Sequence, residues 1–154
     1  MLYTNGTVQH AGVVLGIGGV AGHVHRFLAQ DGYGYCYRAV VTQNFSVVTA
    51  ACLLVRRQCF DEVNGLEAEH LKVALNDVDF CIKLTQAGYI NVYTPLALLF
   101  HHESISRGKD DTPEKMAIFE YEFGYMKKKW GTLLTCDPAY NKNLSLESEN
   151  FLFN

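Results

Sequence analysis

The chain has 154 residues, 49% of them hydrophobic and 19% charged, with three prolines, which is the composition of one folded domain rather than of a disordered segment. A formal net charge of -3 leaves no basic surplus for a nucleic-acid backbone, so nucleic acid is not expected as a partner. The five cysteines are odd in number and lack C-x-x-C spacing, which favours a reducing, cytoplasmic compartment. The most lipid-like stretch, residues 11–22, falls well short of the roughly 20 apolar residues that span a bilayer, so no transmembrane segment is expected.

In chain order, residues 2–15 predict a hairpin about Asn5-Gly6, the dipeptide preferred in type I′ turns. Residues 16–37 hold six of the thirteen glycines without periodicity and predict a long loop. The run "SVVTAACLLVRR" predicts a strand buried on both faces. A short helix over residues 58–64 is closed by Gly65. The segment "NDVDFCIKLTQAGY" predicts a helix from Asp77 to Ala87, with Asn76 as its N-cap, Asp79 at the capping-box position and Gly88 as terminator. Two short strands, "YINVYT" and "ALLFHH", flank Pro95, and a long helix runs from Pro113 to Trp130. The tail is expected to wrap the surface.

Chemistry concentrates at two points. A carboxylate at the first turn of a helix meets unpaired N–H groups and the positive end of the dipole, so Asp77 is held as an anion able to take a proton from an attacking hydroxyl. The alternative, that Asp77 and Asp79 both merely cap the helix, stands beside it. His101 and His102 close a strand, the edge where open α/β sheets place ligands, and adjacent strand residues point to opposite faces, so at most one of them binds a given metal ion. Ser104 and Arg107 follow in a polar loop suited to phosphate or sugar hydroxyls, or simply to water. The pair His23 and His25 and the run "GIGGVAG" lack the partners of a zinc site or a dinucleotide fingerprint.

Taken in order, "TVQHAGVVLG", "VVTAACLLVRRQCFDEVNGL", "NDVDFCIKLTQAGYINVYTPLALLFHHESISRG" and "DPAYNKNLS" resemble the family 2 glycosyltransferases, especially bacterial enzymes of surface-polysaccharide and rhamnan-type synthesis. The resemblance covers nearly the whole chain and implies an α/β fold, a partial GT-A arrangement (nucleotide-diphospho-sugar transferase-like) with a mixed sheet flanked by helices. It implies one domain over residues 1–154, the acceptor-side half, without the amino-terminal half that reads the nucleotide and carries the metal-binding Asp-x-Asp. It places the general base on Asp77, a metal- and diphosphate-assisting histidine on His101, and the donor and acceptor cleft along Thr49, Ala50, Ala51 and Cys52. Gly65, Asp79, Ser104 and Arg107 complete the expected substrate contacts. The usual Gly-Gly-aromatic-Asp-Glu turn is here Asn64-Gly65-Leu66-Glu67-Ala68, and Lys83 stands where the family often has Arg.

The implied activity is inverting transfer from a nucleotide-diphosphate sugar to a glycan or lipid-linked acceptor. A divalent metal, Mn²⁺ or Mg²⁺, is expected in the complete enzyme, at the cytoplasmic side and peripheral to the inner membrane in a full-length protein. Two other readings compete. One is a non-catalytic carbohydrate-binding or assembly module, and the other a metal-dependent hydrolase using Asp77 and His101, for which further ligands are lacking.

Overall fold

A computed structural model describes residues 1–102 and 112–154. Its elements are β1 (Val13–Leu15), β2 (Ala21–His23), β3 (Gln43–Phe45), α1 (Arg57–Glu62), α2 (Asn76–Gln86), β4 (Asn91–Tyr93) and α3 (Pro113–Trp130), with short 3-10 turns between them. The α/β class stands, but the expected mixed sheet is replaced by two antiparallel pairs, β1 with β2 and β3 with β4. Isolated bridges link the pairs and the amino-terminal arm, Val13 to Val47 antiparallel and Leu2 to Phe100 parallel. The core gathers Val13, Val14 and Leu15 from β1, Phe45 and Val47, Val78, Cys81 and Ile82 from α2, and Met126 from α3.

The amino-terminal turn is present in a different form. Tyr3 N–H donates to Thr7 O and Gly6 N–H to Tyr3 O, so three residues close the loop. Gly6 alone takes the left-handed conformation (φ 83°) while Asn5 does not, which is a type I turn with a glycine bulge instead of type I′. Past Leu2 and Val8 the arm does not continue as a hairpin, because Val13–Leu15 turns at Gly16 and pairs with β2 inside the glycine-rich region.

The expected buried strand over residues 46–57 does not form. Its backbone donors find other acceptors: Ala51 N–H goes to Thr49 Oγ1 (3.3 Å) and Ala50 N–H to Asp77 (3.1 Å), which folds Ala50–Cys52 into a 3-10 turn. Beyond it Leu54 is 99% exposed. The helix α1 ends as expected near Gly65, with Asn64 in the left-handed C′ conformation (φ 58°) and Gly65 N–H donating back to Phe60 O. Of "ALLFHH", only Phe100 bridges another strand.

The long helix α3 has the expected bounds. Thr112 Oγ1 caps it by accepting from Lys115 N–H, and Pro113 sits in its first turn. The tail is anchored rather than laid on the surface. Asp137 is buried and accepts from Leu15 N–H (2.7 Å), Ala139 N–H (2.7 Å) and Ser46 Oγ, and Leu144 and Phe151 enter the core. The five cysteines are free, and burial pushes the Cys81 thiol up to about 12.

Candidate functional site

The site is built where the start of α2 meets the turn at residues 49–52. The helix begins one residue early: Asn76 lies inside it, and Leu75 occupies the cap position in the left-handed region (φ 61°) without a side-chain bond. That conformation is uncommon for a residue with a Cβ and marks a backbone held by its surroundings. The holding group is Glu122 of α3, 1% exposed, whose two carboxylate oxygens accept from Val73 N–H (2.8 Å) and Ala74 N–H (2.7 Å).

Asp77 is therefore the second residue of α2 and half-buried. Its Oδ1 accepts from Val78 N–H (2.9 Å) and its Oδ2 from Ala50 N–H (3.1 Å). Each oxygen of a carboxylate offers two lone pairs, so both keep room for a further donor. Ala50, Ala51 and Cys52 are exposed beside it and Thr49 is buried beneath. The structure thus joins Asp77 directly to the turn that the resemblance named.

Asp79 has a different place from the one expected. It does not turn back on the helix start but is fully buried. Its Oδ1 accepts from Trp130 Nε1 (2.7 Å) and meets the Lys129 ammonium at 2.8 Å, and the Lys83 ammonium lies 3.4 Å from Oδ2. Burial pulls the Lys129 ammonium down, but its hydrogen bond and charge attraction to Asp79 outweigh this and hold it above its ordinary value. Asp79 in this geometry fastens α3 to α2, with no free face toward a substrate. Gly65 is likewise committed to the backbone: its carbonyl accepts from Lys83 Nζ (2.5 Å), and a side chain there would strike the Phe60 ring.

His101 ends the stretch that runs beside the amino-terminal arm. Its N–H donates to Leu2 O (2.9 Å), and its Nδ1 lies 2.9 Å from Oε1 of the buried Gln9. With Nδ1 donating to that oxygen, Nε2 is left as the basic nitrogen, the arrangement typical of a metal-binding imidazole. A series of contacts leads from His101 toward the turn. Met1 O accepts from Gln9 N–H, and the Met1 amine, lowered chiefly by burial, is raised in part by the nearby Cys52. His102 is exposed. Ser104 and Arg107 lie outside the described residues.

A fit to a divalent ion is incomplete. Among the described residues, the one group of three possible ligand side chains is Glu67, Glu69 and His70, and it includes neither Asp77 nor His101. Glu67 there is occupied in accepting from the N–H groups of Glu69 (2.9 Å) and His70 (3.2 Å), bonds that hold its carboxyl below the usual range. His101 supplies a single oriented donor, which does not make a metal site.

Sequence reasoning missed Glu122, Trp130 and Asp137. A signal existed for Glu122, which shares a helical stripe with Met126 four residues on and so falls on the packed face of α3.

Comparison with known proteins gives the following. The chain is 53% identical over 152 residues to the uncharacterized protein y4gI of Sinorhizobium fredii, matching 99% of the chain and 17% of that protein. It is 35% identical over 147 residues to the O-antigen biosynthesis protein RfbC of Myxococcus xanthus, matching 95% of the chain and 11% of the relative. Over 63 residues, 41% of the chain, it is 38% identical to the N-acetylglucosaminyl-diphospho-decaprenol L-rhamnosyltransferase of Mycobacterium tuberculosis, of which it covers 20%. The chain thus spans between about a tenth and a fifth of the length of these relatives and is related in sequence to a glycosyltransferase. No family model and no solved structure matches it.

Proposed function

We propose that the chain is the acceptor-side part of an inverting family 2 glycosyltransferase of GT-A type, with Asp77 as general base. The observation that carries this reading is the Asp77 carboxylate, fixed at the start of α2 and bonded to Ala50 N–H of the exposed turn. The named relatives supply the class of chemistry, since one is a rhamnosyltransferase and another an O-antigen biosynthesis protein.

In the reaction, an acceptor hydroxyl attacks the anomeric carbon of a nucleotide-diphosphate sugar from the face opposite the diphosphate. The hydroxyl proton passes to Asp77, the new C–O bond forms, and the bond to the diphosphate breaks, with inversion at that carbon. Because Ala50 N–H and Val78 N–H already hold the carboxylate in place, little reorganisation is needed as the proton arrives. The base step is assigned to Asp77, and the metal and the nucleotide pocket to the complete transferase. The acceptor is a glycan or a lipid-linked saccharide. Among the described residues no helix is long and apolar enough to cross a membrane, and the proposed location is the cytoplasmic side, peripheral to the inner membrane in a full-length protein.

The test is Asp77→Asn in the complete transferase, measured as transfer rate at saturating donor. Asn matches Asp in size and keeps one of the two backbone acceptors at this half-buried position but cannot take the proton, so the rate should fall about 10²–10⁴-fold with the fold and donor affinity retained. Turnover near that of the unaltered enzyme would remove Asp77 from the mechanism.

A further inference from the structure

We propose that residues 53–55 are an open strand edge that pairs with a β-strand from the nucleotide-binding part of the complete transferase, whose apolar side chains then cover Leu54, Ile90 and Val92. The identity of that partner rests on the glycosyl-transfer reading, whereas the open edge is a property of this chain.

The run "SVVTAACLLVRR" has the composition of a strand buried on both faces, and its second half keeps the habits of a strand without a neighbour. Leu53 and Arg56 have extended backbones (φ -125°, ψ 126° and φ -67°, ψ 136°). Side chains alternate as they do along a strand: Leu53 and Val55 pack against the apolar cluster of Val63, Phe80 and Leu84, while Leu54 between them is 99% exposed. Among the described residues, the backbone N–H and C=O groups of Leu54 and Val55 have no hydrogen-bond partner. An apolar edge with free backbone groups is one that folded proteins cover.

The neighbouring strand needs the same cover. In β4, Asn91 and Tyr93 are buried, while Val92 and the preceding Ile90 are 51% and 67% exposed, on the face that an isolated antiparallel pair would ordinarily make polar. Leu54, Val55, Ile90 and Val92 line one groove of about 300 Å³, along which Arg56 is the one charged residue among those described. A strand suits this groove better than a helix, whose internally bonded backbone would leave Leu54 and Val55 unpaired. The two relatives that match nearly the whole chain are far longer, the chain making up 17% and 11% of them. In polypeptides of that length a covering strand is tethered, at an effective concentration of roughly millimolar, against which a second copy in dilute solution competes poorly. Leu53 stands three residues from Ala50, at most about 11 Å away, so a strand laid along this edge runs close to the turn whose Ala50 N–H holds Asp77. That position brings the nucleotide-binding part to the base from the side of the exposed turn.

The experiment compares amide hydrogen exchange, read by mass spectrometry, in the 154-residue chain and in the complete transferase. The amides of Leu54 and Val55 should exchange freely in the chain and at least about 100-fold more slowly in the complete transferase. Leu54→Asp should leave the urea midpoint of the chain unchanged, because the side chain there lies in water. In the complete transferase the same variant should remove the protection of residues 54–55 together with that of one strand in the nucleotide-binding part, while Leu54→Ile keeps both. Equal exchange in the chain and the complete transferase overturns the proposal, as does loss of protection in a strand outside the nucleotide-binding part. A dimer of the chain that protects residues 54–55 and that Leu54→Asp dissociates also overturns it, by making the edge an interface between copies. Failures of the two readings are separable: an edge protected in a complete protein that transfers no sugar sinks the glycosyl-transfer reading, and an unprotected edge in one that transfers sugar sinks the edge alone.

Discussion

Glu122→Gln should destabilise the chain by about 2–4 kcal/mol, although it changes one atom of a residue remote from Asp77 in sequence. The Glu122 carboxylate is 1% exposed and accepts two backbone N–H bonds, at 2.8 and 2.7 Å, from consecutive residues. Each bond to a charged acceptor contributes about 1.5–3 kcal/mol, against about 1 kcal/mol for a neutral one. The amide keeps one oxygen and so preserves one bond in weaker form. Its NH₂ group then faces the second backbone N–H, which loses its acceptor at a cost of about 1–3 kcal/mol. Urea unfolding at fixed pH reads the total, and amide hydrogen exchange localises it, since the N–H groups of Val73 and Ala74 should lose protection more than those within α2. In the complete transferase the rate should fall as well, because the same loop delivers Asp77. A change within about 0.5 kcal/mol, or unchanged exchange at Val73 and Ala74, would refute the view that Glu122 sets the loop.

Asp79→Asn should cost more stability than Asp77→Asn, about 2–4 kcal/mol, because it removes the charge partner of Lys129 and Lys83 from a fully buried position, and comparing the urea midpoints of the two variants tests this order. Stability should also fall as the solution is acidified below pH 6.5. His10 is held near 3 by burial first, then by the charge of His23, 3.1 Å away, and by the amino terminus, so the unfolded chain takes up the proton first. There is no such penalty above 6.5; it grows as the pH falls toward 3 and reaches about 2 kcal/mol by pH 5 for this one group. His10→Gln should remove about half of the fall in the urea midpoint between pH 7 and 5, since His25, lowered to about 4 by burial first and then by Arg38, carries a similar share, and an unchanged slope would show that other groups govern it.

Local sequence was sufficient wherever a segment's own chemistry closes its structure. Thr112, Pro113 and Gly131 bracket α3, and Asn64-Gly65 ends α1, because caps and left-handed residues act within one turn of the chain. The same locality placed Asp77 in the first turn of α2. The run over residues 46–57 misled for the opposite reason. Its apolar, β-branched composition fits a buried strand, yet a strand also needs neighbours for its N–H groups, and here the Thr49 hydroxyl and a carboxylate 27 positions further along take them. Asp79 shows the same division. Its spacing from Asn76 reads as a capping box, but Trp130 and Lys129, some fifty residues on, turn its carboxylate into the core. The sequence by itself determined the helices, their ends to within a residue or two and the carboxylate in the first turn of α2. Which carboxylate faces the exposed turn and which is locked inside was decided only by the packing of α3, because a buried charge goes where distant donors can satisfy it.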